Sequence, residues 1–191
     1  EYRGYDSAGL AVISGDSIVR VRSVGRVAEL ETASAATQSI TGIAHTRWAT
    51  HGVPSERNAH PHVSGSIAVV HHGIIENYET LRTELGAQGY VFTSDTDTES
   101  IAHLVDATLK SEPDLFKAVQ IACRRLVGAY AIAVIDHRQP GKVVVAREGS
   151  PLLLGISDKG NYAASDASAL LQVTRNMVYL ENGDIAELTA T

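Results

Sequence analysis

The sequence predicts an α+β layered domain, with antiparallel sheet and helices packed on its faces. Two observations carry that reading: short apolar or alternating runs recur between turn residues at both ends of the chain, and consecutive amphipathic helices occupy the middle. A βαβ repeat would alternate the two element types, and this chain segregates them.

The early strands are expected at Gly9 to Ile13, Ser17 to Val21, Gly42 to Thr46 and Ile67 to Val70. A later cluster covers Ala129 to Ile135, Lys142 to Ala146, Leu152 to Ile156, Met177 to Leu180 and Asp184 to Leu188, with Asp136 to Gly141 and Glu181 to Asp184 as turns between hairpin partners. A first helix is expected from Asn77 to Leu85, stopped by Gly86. A second runs from Asp97 to Lys110, because Thr96-Asp97-Thr98-Glu99 has the form of a capping box and Ile101, Leu104, Val105 and Leu109 follow as an apolar stripe. Ser111-Glu112-Pro113-Asp114 opens a third, with Leu115, Val119, Ala122 and Leu126 on one face.

Composition bounds the function. The 191 residues are 44% hydrophobic, enough for one core, and no linker or repeat divides them, so residues 1–191 are read as one domain. With 22 acidic against 16 basic residues and a net charge of −6, no basic cluster offers a nucleic acid a footing. Apolar runs such as Gly128 to Ile135 fall short of the roughly 18 residues of a membrane span. Cys123 is the one cysteine, which rules out an internal disulfide and suggests a reducing, cytoplasmic setting. The chain starts at Glu1 rather than methionine and reads as a piece cut inside a domain.

The polar residues crowd into a few segments. In Gly42 to Gly52 an apolar strand runs into His45-Thr46-Arg47-Trp48-Ala49-Thr50-His51. A guanidinium is a planar fork that matches a carboxylate, so Arg47 suits the α-carboxylate of an amino acid, with Thr50 and His51 adding hydrogen bonds. The bland alternative is a surface ion pair for Arg47 and a core position for Trp48.

Five of the eight histidines lie between His51 and His72. They suit either hydrogen bonding at loops and strand ends, most readily His60 and His62, or a metal site, although no helical pair four apart and no cysteine accompanies them. Gly73 follows an apolar strand and lets a backbone amide approach a ligand as an oxyanion hole requires, with His72 beside it as a second donor. Ser94 to Glu99 places acids and hydroxyls at a helix start, where capping and the helix dipole favour them, and the Asp97 carboxylate also suits the α-ammonium of the amino acid whose carboxylate Arg47 holds. Cys123 sits on an apolar helix face, where a free cysteine behaves as a small hydrophobe.

Taken together, Glu1 to Gly9, Gly42 to Gly52, Asn58 to His62, His71 to Asn77 and Ser94 to Glu99 resemble the glutaminase domain of the glucosamine-6-phosphate synthase family, a class II glutamine amidotransferase, over essentially the whole chain. The resemblance implies an N-terminal-nucleophile hydrolase fold, a four-layer αββα sandwich of two antiparallel sheets between helices, here without its first strand. It implies an N-terminal cysteine that attacks the glutamine side-chain amide with its own α-amine as base, no cofactor, and ammonia passed to a sugar isomerase domain through which the protein dimerises. By resemblance Arg47 binds the substrate carboxylate, Asp97 its amino group, Thr50 and His51 line the site, Trp48 belongs to a closing loop, and Gly73 serves the oxyanion.

Two departures stand out. The cysteine-led segment is absent from these 191 residues, so the chain as written is expected to hydrolyse no glutamine. The family's asparagine is replaced by His72. A non-catalytic domain that binds glutamine or glutamate is the alternative, and a histidine-based metal hydrolase a third.

Overall fold

The computed structural model describes residues 5–190, so Glu1, Tyr2, Arg3 and Gly4 of the N-terminal motif lie outside the described residues. β1 (Ser7–Ser14) and β2 (Ser17–Val24) form a hairpin, α1 (Val27–Ser34) follows, and β3 (Gly42–Arg47) returns to the other edge of β1. β4 (His62–Ser64) and β5 (Ile67–Ile75) lead into α2 (Tyr78–Ala87), α3 (Asp97–Leu109) and α4 (Leu115–Cys123). The chain ends with β6 (Gly128–Asp136), β7 (Lys142–Glu148), β8 (Leu153–Ser157), β9 (Gly160–Ala164), α5 (Ala167–Leu170), β10 (Asn176–Tyr179) and β11 (Ile185–Thr189).

The central sheet has the order β11-β7-β6-β5-β4, and every ladder in it is antiparallel. Because side chains alternate across a strand, β5, β6 and β7 each feed two cores. Ile67, Val69, Ile132 and Val134 meet Leu81, Leu85, Ile101, Leu104, Val105 and Val119 of α2, α3 and α4 on one face. On the opposite face Ala68, Val70 and Ile135 pack against Ala11, Ile13 and Ile43 of the small sheet β2-β1-β3. Further along that face Ala131, Val145 and Leu188 pack against Leu152 and Leu154 beside a second small sheet, β10-β8-β9. α1 packs on β1 and β2, and α5 on β9.

This is the α+β layering read from the sequence and the four-layer sandwich that the family resemblance implies, with one qualification: among the described residues the second β layer consists of two three-stranded sheets rather than one continuous sheet. No helix among the described residues is long and apolar enough to cross a membrane.

Several local expectations change. α2 runs through Gly86 to Ala87, and the chain turns instead at Gly89, whose φ of +93° only glycine adopts freely. α4 begins at Leu115, two residues beyond Pro113, because the Asp114 carboxylate accepts from the Lys117 amide at 2.9 Å and makes that residue the cap. The turn at Glu181–Asp184 forms but joins no hairpin: β10 pairs with β8 and β11 with β7, so the chain changes sheets there. β4, β9, α1 and α5 were not anticipated; they are short, and their apolar periodicity is weak.

Candidate functional site

The seven residues singled out from the sequence, Arg47, Trp48, Thr50, His51, His72, Gly73 and Asp97, line one cleft of about 740 Å³. It opens where the C-terminal ends of β3 and β5 meet the N-terminus of α3.

Arg47 is the last residue of β3 and 3% exposed. Its Nη1 donates to Asp6 Oδ1 at 3.3 Å, and its Nη2 donates to the carbonyls of His51 and, at 3.0 Å, Gly52. The guanidinium therefore folds the 48–52 turn around itself. A guanidinium has five N–H donors, so these three bonds leave two for a ligand. The surface ion pair considered from sequence is thus a buried one, with Asp6 as partner.

Asp6 also accepts from the Ala49 amide at 2.5 Å and from Ser7 Oγ at 2.8 Å. Sequence reasoning missed this residue; its partners Arg47 and Ala49 lie some forty positions away, and no local pattern signals such a contact. Trp48 is 70% exposed at the rim, which excludes a core role for it. His51 places its ring against Tyr78, centroids 4.9 Å apart. Asn58, fully buried, ties the loop to the turn before α3: its Nδ2 donates to the Val53 carbonyl at 2.9 Å, and its Oδ1 accepts from the Asp95 amide at 3.0 Å.

Across the cleft, Asp97 is the first residue of α3 and 3% exposed. Its Oδ2 accepts from the Ile75 amide at 2.9 Å, which fixes the carboxylate between the end of β5 and the positive end of the helix dipole. Thr96 caps the helix, and Glu99 departs from a simple capping box. The Glu99 carboxylate reaches past Thr96 to accept from the amides of Thr93, at 2.8 Å, and Ser94, at 2.7 Å.

Gly73 has φ +141°, and a Cβ there would lie 2.0 Å from the Ala129 carbonyl oxygen, so only glycine lets β5 and β6 approach at this point. His72 beside it is exposed.

The buried histidines form a layer behind Asp97. Thr98 Oγ1 lies 2.8 Å from His60 Nε2 and 3.0 Å from His71 Nδ1, and Thr96 Oγ1 lies 3.0 Å from His62 Nε2. His45 stacks on His60 with centroids 4.4 Å apart. Burial pushes His62 down to about 3 and His71 to about 4, and drives His60 well below its ordinary value, so these rings are neutral at pH 7. Each of these three rings lies within hydrogen-bond distance of a threonine hydroxyl, and among the described residues no group of three or more His, Cys, Asp or Glu is placed to hold a metal ion.

Cys123 lies elsewhere. It packs against the apolar core at the end of α4, and burial raises its thiol to about 11, the opposite of what a nucleophile needs.

A second cleft of about 660 Å³ runs between β3 and β9 over Val70, Ala131 and Ala133. Among the described residues each of these two strands pairs on one side only, so their facing edges carry unpaired backbone groups. His72 lines both clefts.

A basic and an acidic side chain, both buried and facing one cleft, match the two charges of an amino acid. The chain is 58% identical to a glutamine–fructose-6-phosphate aminotransferase [isomerizing] of Vibrio cholerae serotype O1, over 99% of this chain and 32% of that protein. It is 59% identical to one of the same name from Acidithiobacillus ferridurans, over 98% of this chain and 31% of that protein. The chain thus spans about a third of the length of the curated relatives it matches.

Among solved structures it superposes on a glutamine phosphoribosylpyrophosphate amidotransferase from B. subtilis with a TM-score of 0.79 at 25% identity, covering 97% of this chain and 41% of that one. An allosteric regulatory enzyme of purine biosynthesis gives 0.80 at 26%, with the same coverage. A family model described as a glutamine amidotransferase domain matches residues 45–172, which include every cleft residue singled out above, and the chain belongs to that family.

Proposed function

We propose that this domain hydrolyses glutamine to glutamate and ammonia, and that the ammonia passes to a further domain of the same polypeptide that makes glucosamine 6-phosphate from fructose 6-phosphate. The observation that carries this reading is the pairing of Arg47 and Asp97 across one cleft, each 3% exposed. Arg47 takes the α-carboxylate, Asp97 the α-ammonium, and Thr50 and His51 line the bound side chain. Trp48, exposed at the rim, closes over it. The names of the relatives support the sugar substrate and the larger polypeptide; dimerisation through that further part and a cytoplasmic location complete the proposal.

The nucleophile in this reading is an N-terminal cysteine that residues 1–191 do not contain, since Cys123 is remote from the cleft and has a raised thiol pKa. A strand carrying it fits the slot between β3 and β9, where it would find a hydrogen-bonding edge on each side and an apolar floor. The cysteine thiol gives its proton to its own α-amine, which titrates near pH 8, and the thiolate attacks the side-chain carbonyl carbon of glutamine. The Gly73 amide and the His72 ring stabilise the oxyanion. Collapse expels ammonia, which takes up the proton, and water then cleaves the γ-glutamyl thioester to release glutamate.

Ammonia release from glutamine tests this. The full-length polypeptide with its cysteine-led segment is expected to turn over, and residues 1–191 alone are not. Turnover by residues 1–191 alone would overturn the external nucleophile. Binding of glutamine without ammonia release by the full-length protein would favour a non-catalytic binding domain. His72→Ala in the full-length protein is expected to lower the rate about 100-fold, the usual effect of losing one oxyanion donor, and an unchanged rate removes His72 from the mechanism.

A further inference from the structure

The polar layer behind Asp97 contains a residue whose connections reach both sides of the cleft. Thr98 is completely buried in the first turn of α3, next to Asp97. Its one hydroxyl lies within hydrogen-bond distance of His60 Nε2, at 2.8 Å, and of His71 Nδ1, at 3.0 Å. His71 Nδ1 is in turn 3.8 Å from Asp97 Oδ2. On the other side His60 stacks on His45 of β3, two residues before Arg47. A contiguous path of contacts thus runs from the strand that carries Arg47 to the helix that carries Asp97, and Thr98 is its joint.

We propose that Thr98 is a positioning residue for the α-ammonium subsite: its hydroxyl donates to one of the two imidazoles, accepts from the other, and so holds Asp97 at the spacing from Arg47 that an amino-acid zwitterion requires. This rests on the glutamine reading of the cleft. A hydroxyl shared between two rings constrains both of them in a way that mere packing does not. A hydroxyl has one proton, and here it joins Nε2 of one ring to Nδ1 of the other. If it donates to His60 Nε2, His60 carries its proton on Nδ1 and His71 donates from Nδ1. If it donates to His71 Nδ1, both rings carry their protons on Nε2. Either way the two neutral rings share one tautomer.

The test is calorimetric binding to the full-length polypeptide of L-glutamate, which is not turned over, and of glutarate, which is glutamate without its α-ammonium. Thr98→Val keeps the shape and removes the hydroxyl. It is expected to weaken glutamate about tenfold, by loosening the hydrogen bond between the α-ammonium and Asp97, and to leave glutarate unchanged. Thr98→Ser restores the preference. A Thr98→Val protein that weakens both ligands equally, or neither, overturns the positioning role. A wild-type protein that fails to prefer glutamate overturns the cleft assignment itself, a separate failure.

Should Thr98→Val not fold, nitrogen-15 chemical shifts of the wild-type rings decide. The same tautomer at His60 and His71 is expected, and opposite tautomers contradict the shared proton.

Discussion

The first turn of α3 and the rest of the helix are buried to the same degree and are chemical opposites. Thr96, Asp97, Thr98 and Glu99 are at most 3% exposed, and Ile101, Leu104 and Val105 at most 1%. The apolar part gains its stability by leaving water and needs only partners of the right volume. The polar part gains nothing from burial unless each donor and acceptor is matched, and it is matched densely: Asp97 to the Ile75 amide, Thr98 to two histidines, Thr96 to a third, Glu99 to two amides and two hydroxyls. One helix thus anchors the core at one end and presents a fixed carboxylate to a cleft at the other.

Acid separates the two ends most strongly. His60, His62 and His71 have folded-state pKa values below the ordinary 6.5, with His71 at about 4 and His62 at about 3. The unfolded chain therefore binds more protons between those values and 6.5, so stability is present above pH 6.5 and is lost as pH falls through that window. Each of the three is expected to cost about 1.4 kcal/mol between pH 7.5 and 5.5, about 4 kcal/mol together, seen as a lower urea midpoint. His62→Gln should reduce this pH slope by one proton; an unchanged slope would show that His62 is not held neutral.

Leu104→Ala probes the apolar end. It is expected to cost about 3 kcal/mol of unfolding free energy from the lost contacts and the cavity, with the pH slope unchanged and glutamine affinity preserved in the folded fraction. A parallel loss of affinity would mean that the two ends are not separable. Asp97→Asn probes the polar end. The amide oxygen still accepts from Ile75, so urea stability should change little, while glutamine binding weakens about 100-fold for want of the charge. Thr96→Ala should be the mildest, about 1 kcal/mol for a lost cap, read by thermal unfolding.

Legibility from sequence follows the same division. The stripe Ile101, Leu104, Val105, Leu109 announces a helix because apolar packing on one face imposes a period, and the short unbroken apolar runs of β5 and β6 announce strands because both of their faces are buried. Arg47 and Asp97 were readable as a charge pair by chemistry and by family resemblance, and one cleft holds both. The Asp6 contact to Arg47 and the Thr98 bridge were not readable, because they depend on hydrogen bonds across roughly 27 to 43 positions of chain, which impose no period on the residues between. The division of the second β layer was equally hidden, since it depends on which strands pair rather than on where strands form.

The measurement that bears most directly on the account is a crystal structure of the protein with L-glutamate bound. The α-carboxylate is predicted on the free N–H groups of Arg47, the α-ammonium within hydrogen-bond distance of Asp97, and the side chain directed toward Gly73 and the β3–β9 slot. Glutamate bound elsewhere, or lying in the cleft with neither Arg47 nor Asp97 in contact, would contradict it.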